Sequence, residues 1–556
     1  MKQLIVSSDA GETRVALLEH DKAAELYIER RSRRSLVGNI YRGRVENVLA
    51  GMDAAFVDIG LPKNGFLYVD EVVVPEDADA RPRKITQMLR AGQEITVQVI
   101  KDPMGTKGAR LTTQLSMAGR YMVYLPGGSF CGVSRRLPDS ERMRLRKLGH
   151  ELRPADAGMI IRTAAEGVSD KAITRDLHYL EKVWEAVQKR LESVQAPAIV
   201  YAEAELPVRI VRDLVSEEFT RILVDDEALG KRISGFLQAT TPELAGRVEV
   251  YRGGRPLFEV YGLEVEVGKA LHRRVDLPSG GYLVIDHTEA MTVVDVNTGR
   301  YVGRTYLEDT IVKNNLEACH EVVRQLRVRD IGGIIVIDFI DMARKENREQ
   351  VLAALEEELA KDRTKTYVVE LSPLGLVEMT RQNLTNGIRG IMTRPCPTCA
   401  GDGVVLSDES LALTVERRLR QFATESAAEA FLVELHPRVV RTMLADGNAR
   451  LRALEEATGR LFSLEGLSWV DPDHAAVSAE GAREVISRAS LPVVAGQELE
   501  LTIREPHAYD RRDAVARLDG YPVCVKGSGG DVGRTIRVVI DEVTRTCAYA
   551  HPVRTT

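Results

Sequence analysis

Hydrophobic and polar positions alternate with a period of two over residues 1–35, which predicts short strands with Asp9-Ala10-Gly11 as a turn. Residues 36–116 continue as short strands separated by glycines and predict a small β-barrel. Within 117–204 the period changes. Ile173, Leu177, Leu180, Val183, Trp184, Val187 and Leu191 recur at helical spacing behind Ser169, a good N-cap, and predict one helix with a single buried stripe. Residues 205–272 read as mixed α/β. From 273 to 392, apolar runs alternate with polar segments: Val293-Val294 and Ile334-Ile335-Val336-Ile337 are strand cores, and Glu317 to Arg327 between them is a charged, helix-compatible stretch. That order predicts an α/β sheet with helical crossovers. Residues 393–403 are Pro/Gly/Cys punctuation, 404–495 a smaller α/β domain, and 496–556 another small barrel with Gly527-Ser528-Gly529-Gly530 as a turn.

A chain of 556 residues with 44% hydrophobic content holds enough apolar material for several cores, and its length suits roughly three to five domains. The net charge of −6 argues against a broadly basic nucleic-acid binder, so any such function rests on local charge. Basic clusters occur at Arg30, Arg31, Arg33 and Arg34, at Arg135 and Arg136, at Arg142, Arg144 and Arg146, and at Arg324, Arg327 and Arg329; each reads equally as a solvated helix face or loop. The six cysteines include one close pair, which excludes a disulfide framework and fits a reducing cytosol. The first residues are too weakly apolar for a signal peptide, and no run approaches the ~18 apolar residues of a membrane span. A cytoplasmic protein without a membrane segment is expected.

Chemistry concentrates at two strand ends. In Thr292-Val293-Val294-Asp295-Val296-Asn297, Asp295 and Asn297 are two apart and share a face. Ile334-Ile335-Val336-Ile337-Asp338-Phe339-Ile340-Asp341 repeats the pattern. An Asp in so apolar a run is costly unless it is paired or bound to metal. Two neighbouring strands ending in Asp place two hard oxygen ligands together at the carboxyl end of a sheet, which suits Mg²⁺. Mg²⁺ there would activate water and stabilise charge in phosphodiester cleavage. The alternative is that each Asp caps a helix or pairs with an Arg.

Three further motifs bear on function. Phe56 and Phe66 lie in the strands Ala54–Gly60 and Gly65–Leu67, and on a basic barrel face they would stack unpaired bases, with Lys107 adding a phosphate contact. Otherwise they are core residues. Arg162 and Thr163 close the run Gly158–Thr163, where a guanidinium fork beside a hydroxyl makes a phosphate clamp; otherwise Arg162 is a surface arginine. Cys396-Pro397-Thr398-Cys399 is half of a zinc site. Structural zinc takes four ligands, so the metal is shared between two chains, or the pair is a redox motif or an orphan knuckle. The Pro and Gly turns around it favour metal.

These features stand in an order that resembles the ribonuclease E/G family over nearly the whole chain. The matching stretches are Gly38–Lys63 with Gly65-Phe66-Leu67, Lys107-Gly108-Ala109, Gly132–Arg136, Ile161–Ala164, Arg252-Gly253, Leu277–Gly281, Asp295-Val296-Asn297, Arg324–Arg329 with Gly332–Met342, Gly375–Gln382, and Cys396–Cys399. The resemblance implies a multidomain α/β architecture. A ribonuclease-H-like fold is expected from 1–35 and 205–272, with an inserted S1 barrel at 36–116 and a 5′-phosphate sensor region at 117–204. A deoxyribonuclease-I-like catalytic domain at 273–392 follows, then a zinc link at 393–403, a small domain at 404–495 and a TRAM-like barrel at 496–556.

It implies a Mg²⁺-dependent endoribonuclease that cuts single-stranded, A/U-rich RNA to leave 5′-phosphate and 3′-hydroxyl ends. Substrates with a 5′-monophosphate would be favoured, and the setting would be ribosomal RNA processing, messenger RNA decay or both. Asp295 and Asp338 match the Mg²⁺ ligands, Asn297 a residue at the scissile region, Phe56, Phe66 and Lys107 the RNA grip, and Arg162 and Thr163 the 5′-monophosphate pocket. Cys396 and Cys399 match a Zn²⁺ link between protomers, giving a homodimer or a dimer of dimers. The disordered scaffold tail of the family's long forms is missing, so a ribonuclease G type or a short form is expected. Two other readings compete with catalysis on RNA: a non-catalytic RNA-binding assembly protein with two barrels, and a metal-dependent deoxyribonuclease.

Overall fold

A computed structural model describes residues 2–73, 84–103, 107–299, 307–372, 375–382, 387–489, 491–507 and 510–553. The chain divides into two compact units, 1–393 and 394–556. None of the described helices is long and apolar enough to cross a membrane.

The first unit opens with the predicted period-two strands, Lys2–Ser8, Glu12–Glu19 and Lys22–Arg30, as an antiparallel meander. Phe219–Val224 then pairs parallel to Lys2–Ser8, and Val248–Val250 adds outside it. The segments 1–35 and 205–272 therefore share one five-stranded sheet, and everything from 36 to 204 is inserted into it.

The insertion begins with a barrel. Ile40–Leu49 pairs with Ala54–Asp58 on one edge and Glu94–Lys101 on the other, and Gly65–Tyr68 and Arg110–Thr112 complete the ring. A four-stranded sheet follows, covered by helices Asp139–Leu152 and Asp170–Ser193. The second helix is the predicted one: Ile173, Leu177, Leu180 and Val187 are buried, and Val183, Trp184 and Leu191 pack beside them. Ser169 stands at its N-cap position without a side-chain capping bond. The Asp139–Leu152 helix was not foreseen, because it fully buries only Leu145 and Gly149 and so shows little periodicity.

Residues 273–392 form a six-stranded sheet in the spatial order Arg274–Asp276, Tyr282–His287, Met291–Asn297, Gly333–Asp338, Leu376–Arg381, Thr366–Leu371. The expected crossover topology holds for one pair only. Met291–Asn297 and Gly333–Asp338 run parallel, joined by helix Leu307–Arg329, and every other pairing is antiparallel. Parallel neighbours need a long crossover; the second helical crossover, Lys345–Ala360, leads from Gly333–Asp338 to Thr366–Leu371, which are parallel but not neighbours because Leu376–Arg381 returns between them. One face of the sheet packs Val294, Val296, Ile335 and Ile337 on Ala318, Cys319, Val322 and Leu326 of that helix and on Val351 and Leu355 of Lys345–Ala360. The same crossover helix reaches the first sheet, where Arg327 Nη2 lies 3.0 Å from Glu19 and 2.9 Å from Glu25.

The second unit holds a three-stranded sheet, Leu461–Gly466, Ala430–Leu435 and Ala475–Gly481, packed on helix Asp408–Glu425, and then a closed five-stranded barrel of strands between Glu498 and Pro552.

Buried charge fixes the base of the six-stranded sheet. Arg381 is 4% exposed; its guanidinium donates to Asp362 at 2.7 Å, Asp330 at 3.1 Å, Thr364 Oγ1 at 3.1 Å and the Ile331 carbonyl at 2.9 Å. Removing the guanidinium leaves two buried carboxylates without their cation, so Arg381→Met is expected to destabilise the protein by roughly 3–5 kcal/mol in urea denaturation. A loss under about 1 kcal/mol, the value of an exposed pair, would contradict that.

Candidate active site

The two strand-end acids meet. Asp295 and Asp338 are directly opposite in the parallel register, so their backbones are about 4.8 Å apart. Both side chains are exposed on the open face of the sheet, while Val294 and Ile337 point into the core. The sequence argument from burial cost is thereby corrected. The apolar neighbours belong to the other face, so the acids bear partial desolvation together with mutual repulsion rather than full burial in a core. Asp338 shows it: partial burial first, then the charges of Asp295 and Asp341, push its carboxyl above the usual Asp value. Asn297 Nδ2 donates to Asp295 Oδ2 at 2.7 Å, which holds that carboxylate and leaves a second N–H.

The sequence reading passed over the residues that hold these strand ends. Asn314 and Asn315, on the crossover helix, are both fully buried. Asn315 donates to the Ile340 carbonyl at 2.9 Å and accepts from the Ile340 N–H at 3.2 Å, fixing the backbone between Asp338 and Asp341. Asn314 lies 3.5 Å from the Asn297 carbonyl and takes the Ser279 hydroxyl at 3.3 Å. A signal existed. Asn315 stands on the stripe Ile311, Ala318, Val322, Leu326, where an uncharged polar residue needs a buried partner.

Among the described residues no three His, Cys, Asp or Glu side chains converge as a ligand cluster. A pair is what Mg²⁺ commonly uses, since it retains several waters. The donor set is hard oxygen throughout, and a cation would relieve the repulsion felt by Asp338.

On the barrel, Phe56 and Phe66 are a cross-strand pair, both half-exposed, with ring centroids 5.9 Å apart and edge-on. They are not core residues. Lys107 is exposed just before the strand Arg110–Thr112, whose Arg110 is in register with Phe66. Gly108 is required there, because a Cβ would fall 1.9 Å from the Asn64 carbonyl. Arg162 is partly exposed and donates through Nη1 to the Gly119 carbonyl at 2.7 Å and to Asp213 at 2.6 Å. Thr163 Oγ1 is 2.8 Å from Ser134 Oγ. Cys396 is exposed and Cys399 partly so; N–H groups of Cys399 and Thr398 and the Cys399 side chain hold the Cys396 thiol below its usual value.

Part of the basic clusters is tied up in ion pairs. Arg142 pairs with Asp139, Arg144 with Glu141 and Asp170, Arg324 with Glu321, and Arg327 with Glu19 and Glu25. Arg31, Arg33, Arg135 and Arg146 remain exposed outside these pairs, and with the phenylalanine pair, Lys107 and Arg162 they are local features that can meet a polyanion.

Comparison with known proteins gives the same answer as this geometry. The profile described as "Ribonuclease E/G family" matches residues 116–384, that of the "RNase E/G, Thioredoxin-like domain" matches 395–479, and that of the "TRAM domain" matches 492–553. Ribonuclease G of Salmonella typhimurium (strain SL1344) and Ribonuclease G of Escherichia coli (strain K12) are each 42% identical over 471 residues, covering 83% of this chain and 96% of theirs. Ribonuclease E of Nostoc sp. (strain PCC 7120) is 39% identical over 408 residues, 72% of this chain and 58% of that protein. With 42% identity spread over 83% of its length, this chain belongs to the ribonuclease E/G family.

Proposed function

We propose that this endoribonuclease uses Asp295 and Asp338 to hold a Mg²⁺ ion and cuts single-stranded, A/U-rich RNA to 5′-phosphate and 3′-hydroxyl ends, in ribosomal RNA processing, messenger RNA decay or both. The observation that carries the reading is the in-register pairing of the two exposed carboxylates. Bound there, Mg²⁺ would supply Lewis-acid polarisation of a phosphoryl oxygen and a water acidic enough to attack at neutral pH. Asn297 fixes the Asp295 carboxylate and offers its remaining N–H to a phosphate oxygen. Phe56 and Phe66 favour unpaired bases, because only these can unstack onto rings. Lys107 adds a phosphate contact, and Arg162 with Thr163 would receive a 5′-monophosphate through a guanidinium edge and a hydroxyl.

Cys396 and Cys399 would hold Zn²⁺ between two protomers, since one chain supplies two of the four ligands a structural site takes. The assembly would be a homodimer or a dimer of dimers. The arrangement proposed for the domains follows the segments above: a ribonuclease-H-like sheet, an S1 barrel, a sensor region and a deoxyribonuclease-I-like catalytic domain, acting in the cytoplasm.

Three outcomes are expected. With 5′-monophosphorylated A/U-rich RNA and Mg²⁺, Asp295→Ala and Asp338→Ala each lower kcat/KM by about a hundredfold or more, in keeping with the several kcal/mol a metal contributes; wild-type cleavage by either variant sinks the assignment, and equal cleavage of matched DNA sinks the RNA preference. The pH profile carries a sign. Asp338 must be ionised to bind a cation, and its carboxyl is held high by burial and by Asp295 and Asp341, so activity falls off on the acid side earlier than an ordinary Asp would cause. Asp341→Asn removes one of those charges and should move the acid limb of kcat/KM to lower pH; a shift upward contradicts the coupling. Finally, replacing Cys396 and Cys399 with Ser should reduce both the mass seen by light scattering and the bound zinc, whereas an unchanged oligomer with unchanged zinc refutes the link.

A further inference from the structure

We infer that Asp213, on the helix Leu206–Leu214, is a positioning residue that orients the Arg162 guanidinium and so sets the preference for RNA with a 5′-phosphomonoester end; this rests on the proposed reading of Arg162 as part of the 5′ pocket. Asp213 lies 51 residues from Arg162 in sequence, on a different element.

The guanidinium is anchored at one corner. Arg162 Nη1 makes both bonds, to Gly119 O and to Asp213 Oδ1, and among the described residues neither Nε nor Nη2 has a partner. The Nε–Nη2 edge is one that can fork onto two phosphate oxygens. Without its anchor, the side chain would regain rotamer freedom that binding must then remove.

The anchor is itself rigid. Gly119 precedes a turn in which fully buried Asp176 accepts the N–H groups of Arg120, Tyr121 and Met122 at 3.1, 2.8 and 3.2 Å. A Cβ at Gly119 would fall 2.5 Å from Asp176 Oδ2, so the turn is closely packed on that carboxylate. Asp213 is gripped from its other side by Arg212, whose Nε reaches Oδ1 at 3.2 Å and whose Nη2 reaches Oδ2 at 3.3 Å. Arg212 is 8% exposed, and its Nη1 goes to Glu203 at 2.8 Å and the Ala118 carbonyl at 3.1 Å. Burial works against the Asp213 charge, yet Arg212 and Arg162 outweigh it and keep the carboxyl ionised. Two arginines and two carboxylates balance in this network. As an anion Asp213 adds no positive potential for a phosphate, so what it contributes is the orientation of the guanidinium. An RNA end bearing a phosphate gains from the pre-set fork, and an end bearing a hydroxyl does not.

The test measures kcat/KM on the same RNA with a 5′-monophosphate and with a 5′-hydroxyl, for wild type, Arg162→Ala, Asp213→Asn and Asp213→Glu. Asp213→Asn is expected to lower the monophosphate-to-hydroxyl ratio by about tenfold, as loss of one hydrogen bond to a charged group would. Its rate on 5′-hydroxyl RNA should stay at the wild-type level, and Asp213→Glu, which keeps the charge, should recover part of the ratio. An unchanged or increased ratio in Asp213→Asn overturns the inference, as does an equal fall on both substrates, which is the mark of a purely structural role. The two readings separate cleanly. If Arg162→Ala keeps the wild-type ratio, the 5′-pocket reading fails and this inference with it; if Arg162→Ala loses the ratio and Asp213→Asn keeps it, only the Asp213 assignment fails.

Discussion

The parallel pairing that sets Asp295 directly against Asp338 is the constraint on which the rest of the site depends. Parallel neighbours cannot be joined by a tight turn, so the chain must leave the sheet and return through the helix Leu307–Arg329. That helix then does two things. Its apolar stripe covers the face opposite the acids, and its two buried asparagines clasp the backbone at the ends of both acid-bearing strands. Like charges would otherwise push these strand ends apart, and partial burial together with the charges of Asp295 and Asp341 raises the Asp338 carboxyl. Packing beneath and amide clasps above hold a geometry that the carboxylates themselves oppose, and the proposed cation would reverse that opposition.

The charge distribution follows the same economy. The chain is acidic overall, with a net charge of −6, and many of its clustered arginines are consumed inside the fold. Arg327 ties the crossover helix to the first sheet, and Arg381 closes the base of the six-stranded sheet. The groups proposed above to meet RNA are few and individually placed: two rings on the barrel, Lys107, and a guanidinium whose free edge is set by its neighbours.

Much of this was legible in the sequence, for identifiable reasons. Period-two strands and the stripe from Ile173 to Leu191 are local patterns, and local patterns survive into the fold. Asp295 and Asp338 could be found because each ends an apolar run, although the reason first given for their importance was wrong: they face solvent, not the core. Phe56 and Phe66 required the register to show that they form an exposed pair. What could not be read was long-range. Asp213 meets Arg162 only because one helix packs beside a strand end far away in the chain. The Asp139–Leu152 helix was hidden by its charge, since most of its positions face water. The arginine clusters looked available because a sequence does not show which carboxylate will fold against them.

The central claim is that Asp295 and Asp338 together form a divalent-cation site. Its most direct test is binding rather than turnover: titration of the wild-type protein and of the Asp295→Asn, Asp338→Asn double variant with Mn²⁺, a spectroscopic stand-in for Mg²⁺, followed by electron paramagnetic resonance without RNA. The account predicts a bound ion in the wild type that competes with Mg²⁺ and is lost in the folded double variant. Equal Mn²⁺ binding by the two proteins would contradict it.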